Sequence, residues 1–107
     1  MKEEKMEQTE LQKESRPNVR TAPKEPRKHN VIILNDDFTT FEFVIEVMMT
    51  VFGKTQQQAD EIAEETHIRQ KAVVGRYPLD IARSKVAKAT RMARAEGYPL
   101  KFDIQPE

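Results

Sequence analysis

The sequence predicts an α+β fold in which a small antiparallel sheet of three strands packs against three helices. Three patterns lead to this prediction: a β-branched run at residues 31–34, three stretches with helical apolar spacing, and an alternating segment at the carboxyl end. In chain order the elements are βααβαβ. A chain of 107 residues has room for one domain with a modest core.

Residues 1–30 are predicted to form a disordered extension, and residues 31–107 to form the folded domain. The extension carries eight Lys or Arg, six Glu and three Pro, with few apolar side chains. Such a segment cannot bury enough apolar surface to offset the entropy lost on ordering. The domain is expected to begin at Val31, because a β-branched run is typical of a buried strand.

The first strand is expected to end at the Asn-Asp-Asp turn of residues 35–37, since short polar side chains hydrogen-bond to nearby backbone. A first helix is predicted over about residues 40–52. Thr39 and Glu42 have the spacing of a capping box just before its apolar positions.

A second helix is predicted to start after Thr55 and to end near Arg69. Thr55 and Gln58 repeat the capping-box spacing, and the apolar positions line one face only. A second strand is expected at residues 72–74. Gly75 within it indicates a bulge or a close approach of the backbone.

The last two elements are a third helix and a third strand. Pro78 closes the second strand and suits the first turn of the helix, and Gly97 provides its stop. Residues 100–105 then alternate between apolar and polar side chains, as in a half-exposed strand.

The composition excludes several classes of protein. The absence of cysteine removes disulfides, thiolate zinc sites and thiol nucleophiles, and it fits a reducing compartment. No apolar run approaches the roughly 20 residues that span a bilayer, and the amino terminus is too charged for a secretion signal. We therefore expect a cytoplasmic protein. Eighteen basic and eighteen acidic side chains cancel, so no strong field favours nucleic acid or anionic lipid.

The polar turn at residues 35–37 has two interpretations. It is either an ordinary turn with anions that cap the next helix, or a binding site for a cation. Its carboxylate and amide oxygens accept hydrogen bonds from an ammonium group, whereas a metal ion would require more ligands. A primary amine is therefore the cation that suits the turn.

His67, near the end of the second helix, also has two interpretations. A lone histidine beside an apolar stripe is commonly a partly buried core or cap residue. If the second helix crosses the turn after the first strand, the neutral imidazole would instead provide a third acceptor for an α-amino group.

Catalysis, metal binding and nucleic-acid binding are not expected. No serine nucleophile motif, phosphate loop or metal set accompanies the acidic turn, and the only other histidine, His29, lies in the extension. Cofactors are not predicted. The third helix is basic, but it has no aromatic platform for bases.

Several segments of the sequence together resemble the ClpS adaptor family: VIILNDDFTTFEFVIEVM, ADEIAEETH, KAVVG, DIARSKVA and YPLKF. The resemblance covers about residues 30–107. It implies an adaptor of the bacterial N-end rule that binds proteins with an amino-terminal Leu, Phe, Tyr or Trp. It also implies delivery of those proteins to ClpA, ClpC or a related Clp unfoldase that works with ClpP.

The resemblance assigns roles to individual residues. It implies that the α-amino group of the substrate binds to Asn35, Asp36 and His67. The positions that surround the substrate side chain in the family fall on Thr39, Phe41, Val44, Ala63, Thr66 and Leu100. Asp80 and Lys85 match an acidic and a basic residue that contact the amino-terminal domain of the unfoldase, and the extension would engage the unfoldase during delivery.

Three positions depart from the usual family pattern. Phe41 replaces a methionine at the gate, Ala63 replaces another pocket methionine, and Thr66 replaces a common valine. We expect the ligand classes to persist with an altered ranking.

Two alternatives use the same fold class. The fold of the family is similar to the carboxy-terminal domain of the ribosomal stalk protein, so a protein-interaction module unrelated to proteolysis is possible on fold alone. A nucleic-acid binder that uses the third helix is a weaker alternative. The constellation of the Asn-Asp-Asp turn and His67 favours the adaptor.

Overall fold

The computed structural model describes residues 27–107 and confirms the predicted α+β fold and the order βααβαβ. The elements are β1 (Lys28–Leu34), α1 (Phe41–Thr50), α2 (Gln56–Arg69), β2 (Lys71–Pro78), α3 (Leu79–Ala95) and β3 (Lys101–Pro106). Within the described residues, no helix is long and apolar enough to cross a membrane.

The sheet has the strand order β2-β1-β3, and β1 pairs antiparallel with both neighbours. The register between β1 and β2 is irregular at one place, where Val31 pairs with Gly75 but Ile32 pairs with Val73. One extra residue in β2 therefore forms a bulge. A Cβ atom on Gly75 would lie 2.9 Å from the hydroxyl of Tyr77. The predicted bulge is thus confirmed, and the close neighbour of Gly75 is the side chain of Tyr77 and not another segment of backbone.

The first strand begins at Lys28, three residues before the predicted start. Residues 28–30 pair with the end of β2, and residues 29 and 30 also pair with the end of β3. The strand thus starts inside the predicted extension, because these residues contribute backbone hydrogen bonds, which side-chain polarity does not reveal. Residues 1–26 of the predicted disordered extension lie outside the described residues.

The helix caps confirm one sequence prediction and correct another. Thr55 and Gln58 form the predicted capping box at the start of α2. At α1, however, the capping residue is Thr40, whose hydroxyl oxygen accepts the backbone N–H of Phe43 at 3.1 Å. Thr39, the predicted cap, instead donates its hydroxyl to Asp36.

The core lies between the inner face of the sheet and the helices. Its largest fully buried side chains are Val31, Ile33, Val47, Met48 and Leu100. Helix α2 packs against α1 and β2, which brings its carboxyl end to the loop after β1. The backbone N–H of Asn35 donates to the carbonyl of Gln70 at 2.9 Å and joins the two segments.

Candidate functional site

The loop after β1 is organised around the carboxylate of Asp36. Its Oδ1 accepts the backbone N–H groups of Phe38 at 2.8 Å and Thr39 at 2.7 Å, and its Oδ2 accepts the Thr39 hydroxyl at 2.8 Å. Asp36 therefore has the turn-forming role that its residue type predicts. A carboxylate has about four acceptor sites, so three bonds leave capacity for another donor.

The carboxyl group of Asp36 is held in its ionised form. Partial burial raises its pKa, but the hydrogen bonds from Thr39 and Phe38, together with the positive charge of Arg94, lower the pKa overall below its usual range. At neutral pH this group is an anion that can pair with an ammonium ion.

Asn35, Asp36 and His67 line a single cavity of about 320 Å³. Asn35 and Asp36 come from the loop after β1, and His67 comes from the last turn of α2. The imidazole of His67 makes no hydrogen bond to another described residue. The spatial condition for a common amine-binding site, which we call the amine site (Asn35, Asp36 and His67), is therefore met.

The rest of the same cavity is largely apolar. Besides the amine site and Asp37, the lining residues are Thr39, Phe41, Val44, Ala63 and Thr66. Thr66 is buried and donates its hydroxyl to the carbonyl of Ile62 at 2.7 Å, so that donor is already used within α2.

Phe41 lies at the rim of this cavity. Its side chain is 44% exposed, and its ring meets the ring of His67 edge to face, with centroids 6.0 Å apart. Leu100, by contrast, is not among the lining residues. It is 1% exposed in the core, and its carbonyl accepts the guanidinium of Arg94 at 2.9 Å.

A further cavity of about 410 Å³ lies between α1 and the end of α3. It is lined by Thr40, Glu42, Phe43, Glu46, Met92, Ala95, Glu96 and Tyr98. It is larger, but it contains none of the residues singled out as amine acceptors. The cavity at the amine site brings all three acceptors, His67 included, together with apolar side chains, whereas a smaller cavity of about 250 Å³ on the other side of the loop has only Asn35 and Asp36 among its lining.

Comparisons with known proteins place this site in a family. The family model described as ATP-dependent Clp protease adaptor protein ClpS matches residues 24–103. The chain belongs to the ClpS family. The match includes every residue of the amine site and of the cavity at that site.

Individual ClpS proteins agree with this assignment. The ATP-dependent Clp protease adapter protein ClpS of Acetivibrio thermocellus is 46% identical over 84 residues, which is 78% of this chain and 85% of that protein. ClpS 1 of Rhodopseudomonas palustris is 36% identical over 102 residues, which is 95% of this chain and 99% of that protein.

A solved structure is also similar. ClpS2 of Agrobacterium tumefaciens, bound to L-phenylalaninamide, has a TM-score of 0.74 and 35% sequence identity, and the match covers 78% of this chain and all of that one. The relatives are thus named as adaptors of the Clp protease, and one solved ClpS structure contains an amino-acid amide.

The two residues expected to contact the unfoldase differ in their surroundings. Asp80 is exposed and accepts the backbone N–H of Ile81 at 2.9 Å. Lys85 is half-buried: its Nζ donates to the carbonyl of Val51 at 3.0 Å and lies 5.5 Å from the ring centroid of Tyr77. The amine of Lys85 therefore ties α3 to the end of α1.

Sequence reasoning missed two residues around this ClpS site. Gln70, the residue directly after α2, accepts a hydrogen bond from the side chain of Asn35. The positive charge of Arg94 helps to lower the pKa of Asp36. Neither had a local signal, because each acts across a distance in sequence. Among residues 27–107, no group of three or more His, Cys, Asp or Glu is placed to hold a metal ion.

Proposed function

We propose that the protein is a non-catalytic adaptor that binds the free α-amino group and the apolar side chain of an amino-terminal Leu, Phe, Tyr or Trp. It delivers proteins with such termini to a Clp AAA+ unfoldase of the ClpA or ClpC type. The observation that carries the proposal is that the amine site and an apolar wall share one cavity. The cytoplasmic location expected from the sequence is part of the same proposal.

The amine site matches the hydrogen-bonding capacity of an α-ammonium group. Such a group has three N–H donors, and the site offers a carboxylate oxygen of Asp36, the amide oxygen of Asn35 and a ring nitrogen of His67. The ionised Asp36 makes the interaction charge-assisted, which roughly doubles the strength of such bonds. An amino terminus is thereby distinguished from a chain interior, which has no ammonium group.

The apolar wall supports selection by side chain. Val44, Ala63 and Thr66 are buried, and the short Ala63 leaves space within the cavity. Phe41 lines the same cavity but is 44% exposed, and its ring lies edge to face against His67. We therefore expect aromatic amino-terminal residues to rank above Leu. L-phenylalaninamide, the ligand of the Agrobacterium tumefaciens relative, combines a free α-amino group with an aromatic side chain.

Fluorescence anisotropy tests the recognition step. The probe is a labelled peptide with a free amino-terminal Phe, which we call a Phe-led peptide. Acetylation of the peptide removes its charge and two donors, and leaves acceptors unpaired at about 1–3 kcal/mol for each buried group. We expect the acetylated peptide to bind about 100-fold more weakly. Equal affinities of the free and acetylated peptides would contradict the amine site. Among twenty peptides that differ only in their first residue, a preference for Asp or Lys would contradict the apolar pocket.

The delivery step has a separate test. Degradation of a Phe-led reporter protein by ClpA with ClpP, or by ClpC with ClpP, should accelerate when the adaptor is added. A Met-led reporter provides the control and should be unaffected. Binding of the Phe-led peptide without any acceleration by either unfoldase would retain recognition and contradict delivery.

A further inference from the structure

Gln70 has a backbone conformation that its residue type does not favour. It directly follows α2 with φ 73° and ψ −7°, and it is the only residue other than glycine with positive φ among residues 27–107. A left-handed residue after a helix is usually glycine, because a Cβ atom crowds the backbone there. A glutamine at this position requires a compensating interaction.

The side chain of Gln70 makes two hydrogen bonds, one to each of the two segments that form the amine site: the last turn of α2 and the loop after β1. Its Nε2 donates to the carbonyl of His67 at 3.1 Å, and its Oε1 accepts Nδ2 of Asn35 at 3.3 Å. The carbonyl of Gln70 also accepts the backbone N–H of Asn35 at 2.9 Å. Gln70 therefore bonds to the loop after β1 and to the last turn of α2 at the same time.

These bonds fix which way the amide of Asn35 points. Because Nε2 of Gln70 lies against the carbonyl of His67, its Oε1 lies against the Asn35 amide, and an oxygen can accept only from Nδ2. Oδ1 of Asn35 then remains as the acceptor, and no described residue donates to it. The His67 carbonyl, the Gln70 amide and the Asn35 amide form a series of hydrogen bonds, and each bond polarises the next group, which makes Oδ1 of Asn35 a better acceptor.

We infer that Gln70 is a positioning residue for recognition of the substrate's α-amino group. The inference rests on the proposed function, because it acts through Asn35 on the same ligand. Gln70 does not line the cavity. It sets the orientation of the Asn35 amide before the ligand arrives and so lowers the ordering cost of binding.

Two substitutions separate this role from a purely structural one. Gln70→Gly and Gln70→Asn both suit the left-handed conformation, but neither carries a side chain that reaches both partners. Gln57→Asn, at the opposite end of α2, is the matched control because Gln57 is exposed and lies outside the cavity. The measurements are thermal unfolding and binding of a labelled Phe-led peptide to the full-length chain.

We expect both Gln70 variants to unfold at the same or a higher temperature than the wild type, yet to bind the peptide about three- to five-fold more weakly. The Gln57→Asn control should match the wild type in affinity. In an Asn35→Ala background, Gln70→Asn should have no further effect on affinity, because the two side chains act together. The side-chain amide resonances of Asn35 in the free protein should also shift.

Several results would overturn the inference. Affinities of both Gln70 variants within 1.5-fold of the wild type would do so, and so would an equal loss in the Asn35→Ala background. A lower unfolding temperature in both variants would show a structural role instead. If the wild type itself fails to bind the Phe-led peptide, the proposed function fails first, which distinguishes the two failures.

Discussion

The charged side chains near the two ends of strand β1 differ in how many of their hydrogen bonds are already made within the protein. At the carboxyl end, Asp36 satisfies its own loop and still has acceptor capacity toward a cavity. Near the amino end, the amine of Lys85 bonds to Val51 and lies over the ring of Tyr77, which pairs with His29 in the sheet. A family position thus indicates a role, but the hydrogen bonds that a side chain already makes decide its capacity for a partner.

The largest expected effect is at the carboxyl end. Asp36→Ala removes the anion and three hydrogen bonds, and charged hydrogen bonds contribute about 1.5–3 kcal/mol each. We expect affinity for a Phe-led peptide to fall about 100-fold, with lower stability to urea. Asp37→Ala is the comparison variant: Asp37 also lines the cavity, but it is exposed and makes no hydrogen bond to another described residue, so we expect a much smaller loss. Similar losses in both variants would remove the special status of Asp36.

The next prediction concerns the space beside the amine site. Ala63→Met places a long side chain in the cavity, so bulky amino-terminal residues should lose affinity about 10-fold, while Leu loses less. Fluorescence anisotropy with peptides that differ only in their amino-terminal residue measures this change. Ala87→Met, on the exposed face of α3, should leave the ranking intact. An unchanged ranking in Ala63→Met would mean that substrate side chains bind elsewhere.

The amino end should respond in stability and not in peptide binding. Lys85→Ala leaves the carbonyl of Val51 without its donor, and we expect the free energy of unfolding in urea to fall by about 1–2 kcal/mol. Peptide affinity should remain within about two-fold of the wild type. Lys88→Ala, which removes an exposed cation from the same helix, should change neither quantity appreciably. Equal stabilities of the two variants would contradict the structural role of Lys85.

The smallest expected effect is a pH dependence of stability. Because the pKa of Asp36 is lowered in the folded state, its charge contributes stability above the ordinary Asp pKa, and that contribution disappears as the pH falls below about 4. The difference in unfolding free energy between the wild type and Asp36→Asn should therefore be constant above about pH 5 and shrink below it. A difference that stays constant down to pH 3 would exclude this contribution.

The fold was predictable because its signals are local. The capping box of Thr55 and Gln58, the bulge at Gly75 and the helix stop at Gly97 each have a signal within a few residues of the sequence. All three were predicted correctly. The cap of α1 was misplaced by one residue because Thr39 and Thr40 both fit the pattern. Only the hydrogen bond from Thr39 to Asp36, which depends on the folded loop, distinguishes them.

The residues that line the site could be predicted from their types, but the residues that hold or polarise them could not. The acidic turn and His67 stood out as groups that can bind an amine, and the structure brings them to one cavity. The contacts of Gln70 and Arg94 depend on how α2 and α3 lie against the loop after β1, which no local pattern contains. Leu100 was expected beside the substrate side chain. The structure places it in the core, and its role in binding stays a prediction.

The position of β1 in the sheet also has a mechanical consequence. The strand lies between two antiparallel partners along its length, and the amino-terminal segment joins it at residue 27. A force applied there along the strand axis would load both hydrogen-bond ladders in shear, so many bonds would share the strain instead of opening one at a time. Traction on residue 27 along the strand axis, with the rest of the domain held, should therefore meet more resistance than traction across the sheet, which opens one bond at a time.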